Sequence, residues 1–381
     1  MINLAWRDSR HNWGKLLITG CGLGLLVGVT VSMAGVYRGM VEDAEALIGG
    51  SGADLWVVEQ HTLGPFAEAS RIDDDLYRSL RQLPGVRRAV NGSFQTLLIQ
   101  RPGRSLRVLV AGVELGVPGG LGQPPGLVAG RPLLRDRDEL LADPGTGLQL
   151  GEVVPIRRKR FTVVGLTTRM VSPTGDPMLF VPFRDGQDLQ FLPGNEAIAR
   201  QRRRQARPAE RQALTNAVLV QLEPSARPEL VAAEIERWLG LTAYTRPAMK
   251  EAMVGKLIEA SARQIGLFLV ILTLVTTTMI GFIVFTLTQG KLREIAVLKL
   301  IGMPSRLIAW MIVQQAVALG LFAFVVGTSL ATVMAPRFPR HVVLQRRDLI
   351  AAAAVALASS SLASLVGVKA ALGVDPAEAI Q

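Results

Sequence analysis

The chain has one cysteine, Cys21, so no intrachain disulfide can form and any folded part must be held by its own core. Histidine is almost as scarce: His11, His61 and His341 are scattered. Neither H-E-x-x-H nor G-x-S-x-G occurs, so no zinc pair or nucleophile–base pair can be picked out. The chain also lacks G-x-x-x-x-G-K-[ST], which excludes nucleotide binding in the Walker manner. Charge is missing from four long runs, residues 16–37, 264–290, 307–336 and 349–368. Each reaches the roughly 20 residues that cross a hydrocarbon core.

What is present fits those runs. Of 381 residues 49% are hydrophobic, and the mean hydropathy is +0.32, values that predict an integral membrane protein with a sizeable non-membrane part. The formal charge of +11 is not spread evenly. Residues 41–262 hold 28 Lys and Arg against 26 Asp and Glu, a net of +2, which leaves +9 for the spans and their flanks. A basic excess beside membrane spans points to anionic headgroups and orientation rather than to nucleic acid.

The leading MINLAWRDSRHNWGK combines Arg7, Arg10 and Lys15 with Trp6 and Trp13 and predicts an in-plane helix at the cytoplasmic face. In the first span Gly20, Gly24 and Gly28 repeat every four residues, a bare face suited to close helix packing. Residues 18–21 resemble a lipoprotein cleavage box. Only five residues separate Lys15 from Cys21, however, and the apolar run continues to Tyr37, so an uncleaved anchor is expected.

Beyond this span the helix is expected to run to residue 48 and to stop at Gly49, Gly50 and Gly52. A strand at 53–58 follows. Asp73, Asp74 and Asp75 then open a helix carrying Leu76, Leu80 and Leu83, a better account of three adjacent acids than a metal site. Pro84 and Gly85 close it before strands at 93–100 and 106–113. Short alternating runs, including 152–156 and 160–166, mark a β-rich insert over about 114–214. A strand at 216–222, a helix at 227–239 with Leu230, Ile235 and Leu239 inward, and a strand from 243 complete a second β-α-β half. Two basic clusters, Arg157–Arg160 and Arg200 with Arg202, Arg203, Arg204 and Arg207, predict a solvated hairpin and a mobile loop, or else contacts to headgroups or an acidic partner. Asn91-Gly92-Ser93 matches the short glycosylation sequon.

Residues 247–263, with Met249, Met253 and Leu257 along one side, predict a helix that enters the second span without a breaker. At about 1.5 Å per residue the rod from 247 to 290 would be roughly 65 Å long, about twice the hydrocarbon thickness. Then comes KLREIAVLKLIGMPSR, residues 291–306. Leu292, Ile295, Leu298 and Ile301 form a stripe amid Lys291, Arg293, Glu294 and Lys299, and Gly302 and Pro304 end the helix. An amphipathic helix held between two spans stays at the bilayer surface, where a soluble partner can grip it. Residues 337–348 form a short loop with Arg337, Arg340, Arg346 and Arg347. Eight basic residues on the other side still favour an interior amino terminus. In the last span Ala352, Ala356, Ser360 and Ser364 share one small face, expected to pack against a neighbour.

REIAVLKLIG at 293–302 and DPAEAI at 375–380 resemble the matching segments of MacB/FtsX/LolE-type ABC transporter permeases, as does the order of one span, a large outer domain and three spans. Ala296 stands where that family often has Gly, and Leu300 where it commonly has Ala. The resemblance implies an α+β membrane protein: four transmembrane helices plus a large extracytoplasmic domain of β-α-β halves with a β-rich insert. The expected division is 1–15 cytoplasmic helix, 16–40 first span, 41–262 outer domain, 263–290 second span and 291–306 coupling helix. It continues as 307–336 third span, 337–348 outer loop, 349–368 fourth span and 369–381 cytoplasmic tail.

It further implies that Arg293, Glu294, Ile295, Leu298, Lys299 and Gly302 contact a separate cytoplasmic ABC ATPase, which holds ATP and Mg, while this chain binds no cofactor and no metal. Expected partners are that ATPase, a second permease protomer, the same or related, joined through the small-residue spans, membrane lipids and a periplasmic adaptor as an optional addition, with no nucleic acid. The expected location is the prokaryotic cytoplasmic (inner) membrane. The implied activity is non-enzymatic: ATP-driven motion exports or extracts a lipophilic substrate (lipid, lipoprotein or amphiphile). An FtsX-like subunit that activates an extracellular partner without transport is the alternative, and a membrane-anchored enzyme the third class.

Overall fold

A computed structural model describes residues 13–68, 70–101, 103–191, 214–290, 292–338 and 340–372; at several positions, among them Arg293, Glu294 and Leu298, it describes the backbone alone. Most of the expected in-plane helix, the arginine run at 200–207 and DPAEAI lie outside the described residues. The chain forms two compact units, Met40–Ala260 and the remainder on either side of it.

The first helix, α1, is Trp13–Gly50, and it ends where the glycines predict. Ser51 donates its N–H back to the Leu47 carbonyl at 3.2 Å, and Gly52 takes φ +66, a left-handed conformation that L side chains resist. In the head unit, β1 (Leu55–Val58), β2 (Ile72–Asp73), α2 (Leu76–Leu80), β3 (Val86–Arg101) and β4 (Arg104–Val113) follow. After the insert come β10 (Leu214–Thr215), β11 (Ala217–Leu222), α4 (Pro228–Leu239) and β12 (Thr242–Thr245). The sheet order β12-β1-β11-β3 interleaves the two β-α-β halves, every neighbour antiparallel. Leu55, Val57, Leu80, Val220 and Ile235 form the core beneath α2 and α4. Leu230 is not part of it. It is 64% exposed, and Val231, Ala232 and Ile235 turn inward instead.

The insert supplies β5 (Leu127–Gly130), β6 (Glu139–Ala142), β7 (Val153–Ile156), β8 (Lys159–Thr167), β9 (Met178–Pro182) and α3 (Phe183–Phe191). It continues the same ten-stranded sheet, because β9 pairs in parallel with β4. The length of β3 reflects this: residues 86–92 pair with β11 and residues 92–101 with β4. One strand therefore serves two cores, the second built from Ile99, Val108, Leu140, Phe161, Leu179 and Leu189. Burying side chains of this size contributes about 1.5–3 kcal/mol each. Asn91 lies within β3, 4% exposed, and donates its side-chain N–H to the Asp74 carbonyl at 2.7 Å, so the sequon is not open to a glycan in the folded protein.

From the head the chain passes through α5 (Arg246–Glu251) and a π-helical turn, Ala252–Leu257, before α6 (Glu259–Gln289). The expected uniform rod is thus corrected: its winding changes at Ala252–Leu257, while Gly266 sits in unbroken helix. A π turn takes in one extra residue, and no residue type marks where it falls, so the sequence does not reveal it. The remaining helices are α7 (Leu292–Leu300), α8 (Ser305–Met334) and α9 (Arg346–Leu372). Arg346 and Arg347 belong to the first turn of α9 rather than to the loop, and Arg337 closes a 3-10 turn after α8.

Candidate functional site: the surface helix and the bundle

Among the described residues, four helices are long and apolar enough to cross a membrane: Leu17–Gly50, Ser261–Gln289, Ser305–Arg337 and Arg346–Lys369. Glycine sets how closely they approach. A Cβ on Gly24 would fall 2.7 Å from Val326 Cγ1, one on Gly28 3.0 Å from the Gly327 carbonyl oxygen, and one on Gly20 inside the ring of Phe322. The Gly20, Gly24 and Gly28 face is therefore spent on α8 of the same chain. On the other side of α8, a Cβ on Gly320 would overlap Ser360 Oγ, which donates to the Ala356 carbonyl at 2.8 Å. Ser360 and Ser364 are buried, and Ala352 and Ala356 are half-buried. Gly20, Gly24, Gly28, Ser360 and Ser364 thus pack within the chain, while Ala352 and Ala356 line an open space among α1, α6 and α9.

α7 is the short helix between α6 and α8. Ile295 is 2% and Ala296 0% exposed; Ile295 packs with Val284, Ile308 and Ile312. The expected partner contact Ile295 is thus a packing residue. The outward apolar groups are Val297, Leu300 and Ile301, at 43%, 61% and 78% exposure. Ile301 does not share the helical stripe, because α7 ends at Leu300 and the chain then turns: Gly302 donates to the Lys299 carbonyl at 3.0 Å with φ +91. Gly302 and Pro304 end the helix as expected, with Pro304 at ψ 137 leading into α8. Lys299 is half-buried and engaged, and Gly302 is exposed. For Arg293, Glu294 and Leu298 the side chains lie outside the described residues. The signal missed in the sequence was Leu300 itself, an apolar residue off the stripe next to a helix stop.

In the head, polar burial serves structure. Glu139, buried, would be pushed up by loss of water, but the Arg131 guanidinium and the N–H groups of Arg135 and Leu134 outweigh this and hold it down at about 2. Burial pushes the Asp143 carboxyl up, against N–H donors from Met170 and Gly145. Lys159 belongs to the expected solvated cluster yet is largely withdrawn from water. Burial works against its charge, but Asp185 and Asp188, each at 2.6 Å, raise its pKa. Asp73, Asp74 and Asp75 do not converge: Asp75 pairs with Arg78 at 3.3 Å, and Asp74 accepts from Asn91 through its backbone.

A folded head, four membrane-length helices and a short helix between the second and third of these define the class as a multispan membrane protein with a large folded domain. Residues 16–238 match the family model of the MacB-like periplasmic core domain, and residues 266–376 that of the FtsX-like permease C-terminal region. The chain belongs to the MacB/FtsX family and is an ABC transporter permease of that type, a non-enzymatic subunit. It is 29% identical over 382 residues to the uncharacterized ABC transporter permease Rv0072 of Mycobacterium tuberculosis, covering 100% of this chain and 99% of the relative. To Rv2563, another uncharacterized ABC transporter permease of that organism, it is 24% identical over 377 residues, covering 99% of this chain and 98% of the relative. Among solved structures, the periplasmic region of MacB from Actinobacillus actinomycetemcomitans aligns at 10% identity and TM-score 0.36, covering 53% of this chain and 94% of that one. The extracellular domain of the transporter YknZ from Gram-positive bacteria aligns at 13% and 0.34, covering 51% and 98%.

Proposed function

We propose that this permease receives force from a separate cytoplasmic ATPase at α7 and the turn after it, and converts it into movement of the head outside the cytoplasm, exporting or extracting a lipophilic substrate. The observation that carries this reading is the exposure of Val297 and Leu300 on a helix, and of Ile301 in the turn after it, while Ile295 and Ala296 lock the helix's other side into the bundle core. A partner pushing on that outward face moves α6 and α8 with it, because both are one short turn away. The chain holds no Walker motif, so nucleotide and Mg belong to the partner. The amino terminus and α7 lie inside on the basic-residue balance of the flanks. A second protomer completes the transporter, since four spans are too few to enclose a conduit.

Copurification from native membranes tests this. The wild-type chain brings down an ABC ATPase, and Leu300→Asp with Ile301→Asp releases it while leaving the bundle folded, because both side chains are exposed. Retention of the ATPase by that variant would remove α7 as the grip. Stimulation of ATPase activity by an added lipid or lipopeptide supports transport, whereas its absence favours the signalling alternative.

A further inference from the structure

A cavity of about 230 Å³ lies among α1, α6 and α9, at membrane depth. Its walls are Val27, Val31, Ala34, Leu269 and Val355, with threonines whose hydroxyls are partly spent on their own helices: Thr30 donates to the Leu26 carbonyl at 2.9 Å and Thr276 to that of Leu272 at 2.7 Å. One lining residue is charged, Asp348, at the start of α9. Arg38 donates to its carboxylate from Nε at 3.0 Å and from Nη2 at 2.9 Å. The Arg38 side chain is still 40% exposed, and its Nη1 makes no bond among the described residues. Arg346 and Arg347, both exposed, immediately precede Asp348. The slot is thus apolar along its length; its one charged wall residue is paired with Arg38, and two further arginines adjoin that aspartate in the first turn of α9.

The ion pair uses only part of the Arg38 guanidinium, and the rest is open to a second acceptor. We propose that the cavity takes one acyl chain of an anionic phospholipid, with the phosphate held by Arg38 and favoured by the positive charge that Arg346 and Arg347 add nearby in the first turn of α9. An apolar slot suits a chain from the surrounding bilayer, and a guanidinium fork suits a phosphate. A second copy of this chain fits less well, because a two-fold contact here would set the arginine patch against itself. This deepens the proposed function by giving the lipophile a headgroup charge, and it relies on that reading only for the fate of the lipid once bound.

The test uses the full chain, purified in non-ionic detergent without any ATPase and offered equal amounts of phosphatidylglycerol and phosphatidylcholine with the same acyl chains, with retained lipid read by native mass spectrometry. The wild type retains phosphatidylglycerol about tenfold over phosphatidylcholine, as a charge-assisted hydrogen bond implies. Val355→Trp fills the slot from a half-exposed position and lowers retention of both lipids about tenfold. Arg38→Gln abolishes the preference but keeps phosphatidylcholine at the wild-type level, and Arg38→Lys restores part of it. If Arg38→Gln loses monodispersity, Arg346→Gln with Arg347→Gln carries the same test at exposed positions, the preference falling about fivefold. Equal retention of the two lipids by the wild type, unchanged retention by Val355→Trp, or a Val355→Trp effect on dimer fraction alone overturns the proposal. Because no ATPase is present, failure here leaves the copurification result standing, and failure of copurification leaves this one standing.

Discussion

Glu139 is a buried charge in the head held by three donors. Its carboxylate accepts from Arg131 Nη2 at 2.6 Å and from the N–H groups of Leu134 and Arg135 at 2.8 and 3.0 Å, almost out of contact with water. Its folded pKa, about 2, is depressed from an ordinary value of 4.5, so its stabilisation is fully present above the unfolded value and is lost as pH falls from there toward 2. Glu139→Gln should cost on the order of 3 kcal/mol at pH 7 and much less near pH 2.5, read by urea unfolding followed through tryptophan fluorescence. In the bundle, the same logic of enforced proximity applies to glycine. Gly28→Leu would drive its side chain into the Gly327 backbone, and a fall in melting temperature of the detergent-solubilised protein of about 5 °C or more is expected. Gly22→Leu, on an open face of the same helix, should leave it unchanged.

At the scale of elements, the π turn Ala252–Leu257 is the break in helical winding between β12 and α6. Deleting Gly255 should convert it to α-helix, since a π turn is an α-helix with one residue added. The expected result is a more protected backbone over 252–258 in hydrogen exchange. Unchanged protection would mean that the turn does not rely on its extra residue. Local signals made much of this layer legible in advance. Glycines at 49, 50 and 52 ended α1, and Gly302 with Pro304 ended α7, because each stop is written in adjacent residues. Stripes were less secure. Leu230 is expected inward but lies in the first turn of α4, where Val231, Ala232 and Ile235 set the buried face, and Ile301 leaves its stripe because a stripe holds only while the helix continues. Ile295 read as a contact and is core for a related reason: a nine-residue amphipathic helix must first bury one side against its own neighbours.

For the whole molecule, orientation is the first consequence to check. With Cys21→Ser as background, a cysteine at Leu300 should react with a membrane-impermeant maleimide only after the cells are opened. One at Trp238, 57% exposed on α4, should react in intact spheroplasts. Reaction of the Leu300 cysteine from outside would reverse the topology. Four spans, a soluble-type stretch and two β-α-β halves could be read from charge and periodicity, because each is set by contiguous residues. The register of the insert could not. The parallel pairings of β4 with β9 and of β6 with β8 join strands far apart in sequence, and no local pattern specifies which of several short apolar runs will meet.

That seam constrains how such proteins can be recombined. Because Val86–Arg101 lies in both cores and Met178–Pro182 is stitched directly onto Arg104–Val113, a chimera that swaps residues 114–214 between relatives would tear a shared sheet and leave two raw edges. Exchange should succeed only when the graft carries Val86–Arg101 and Arg104–Val113 with it, so the sheet and not the insert is the unit to transplant.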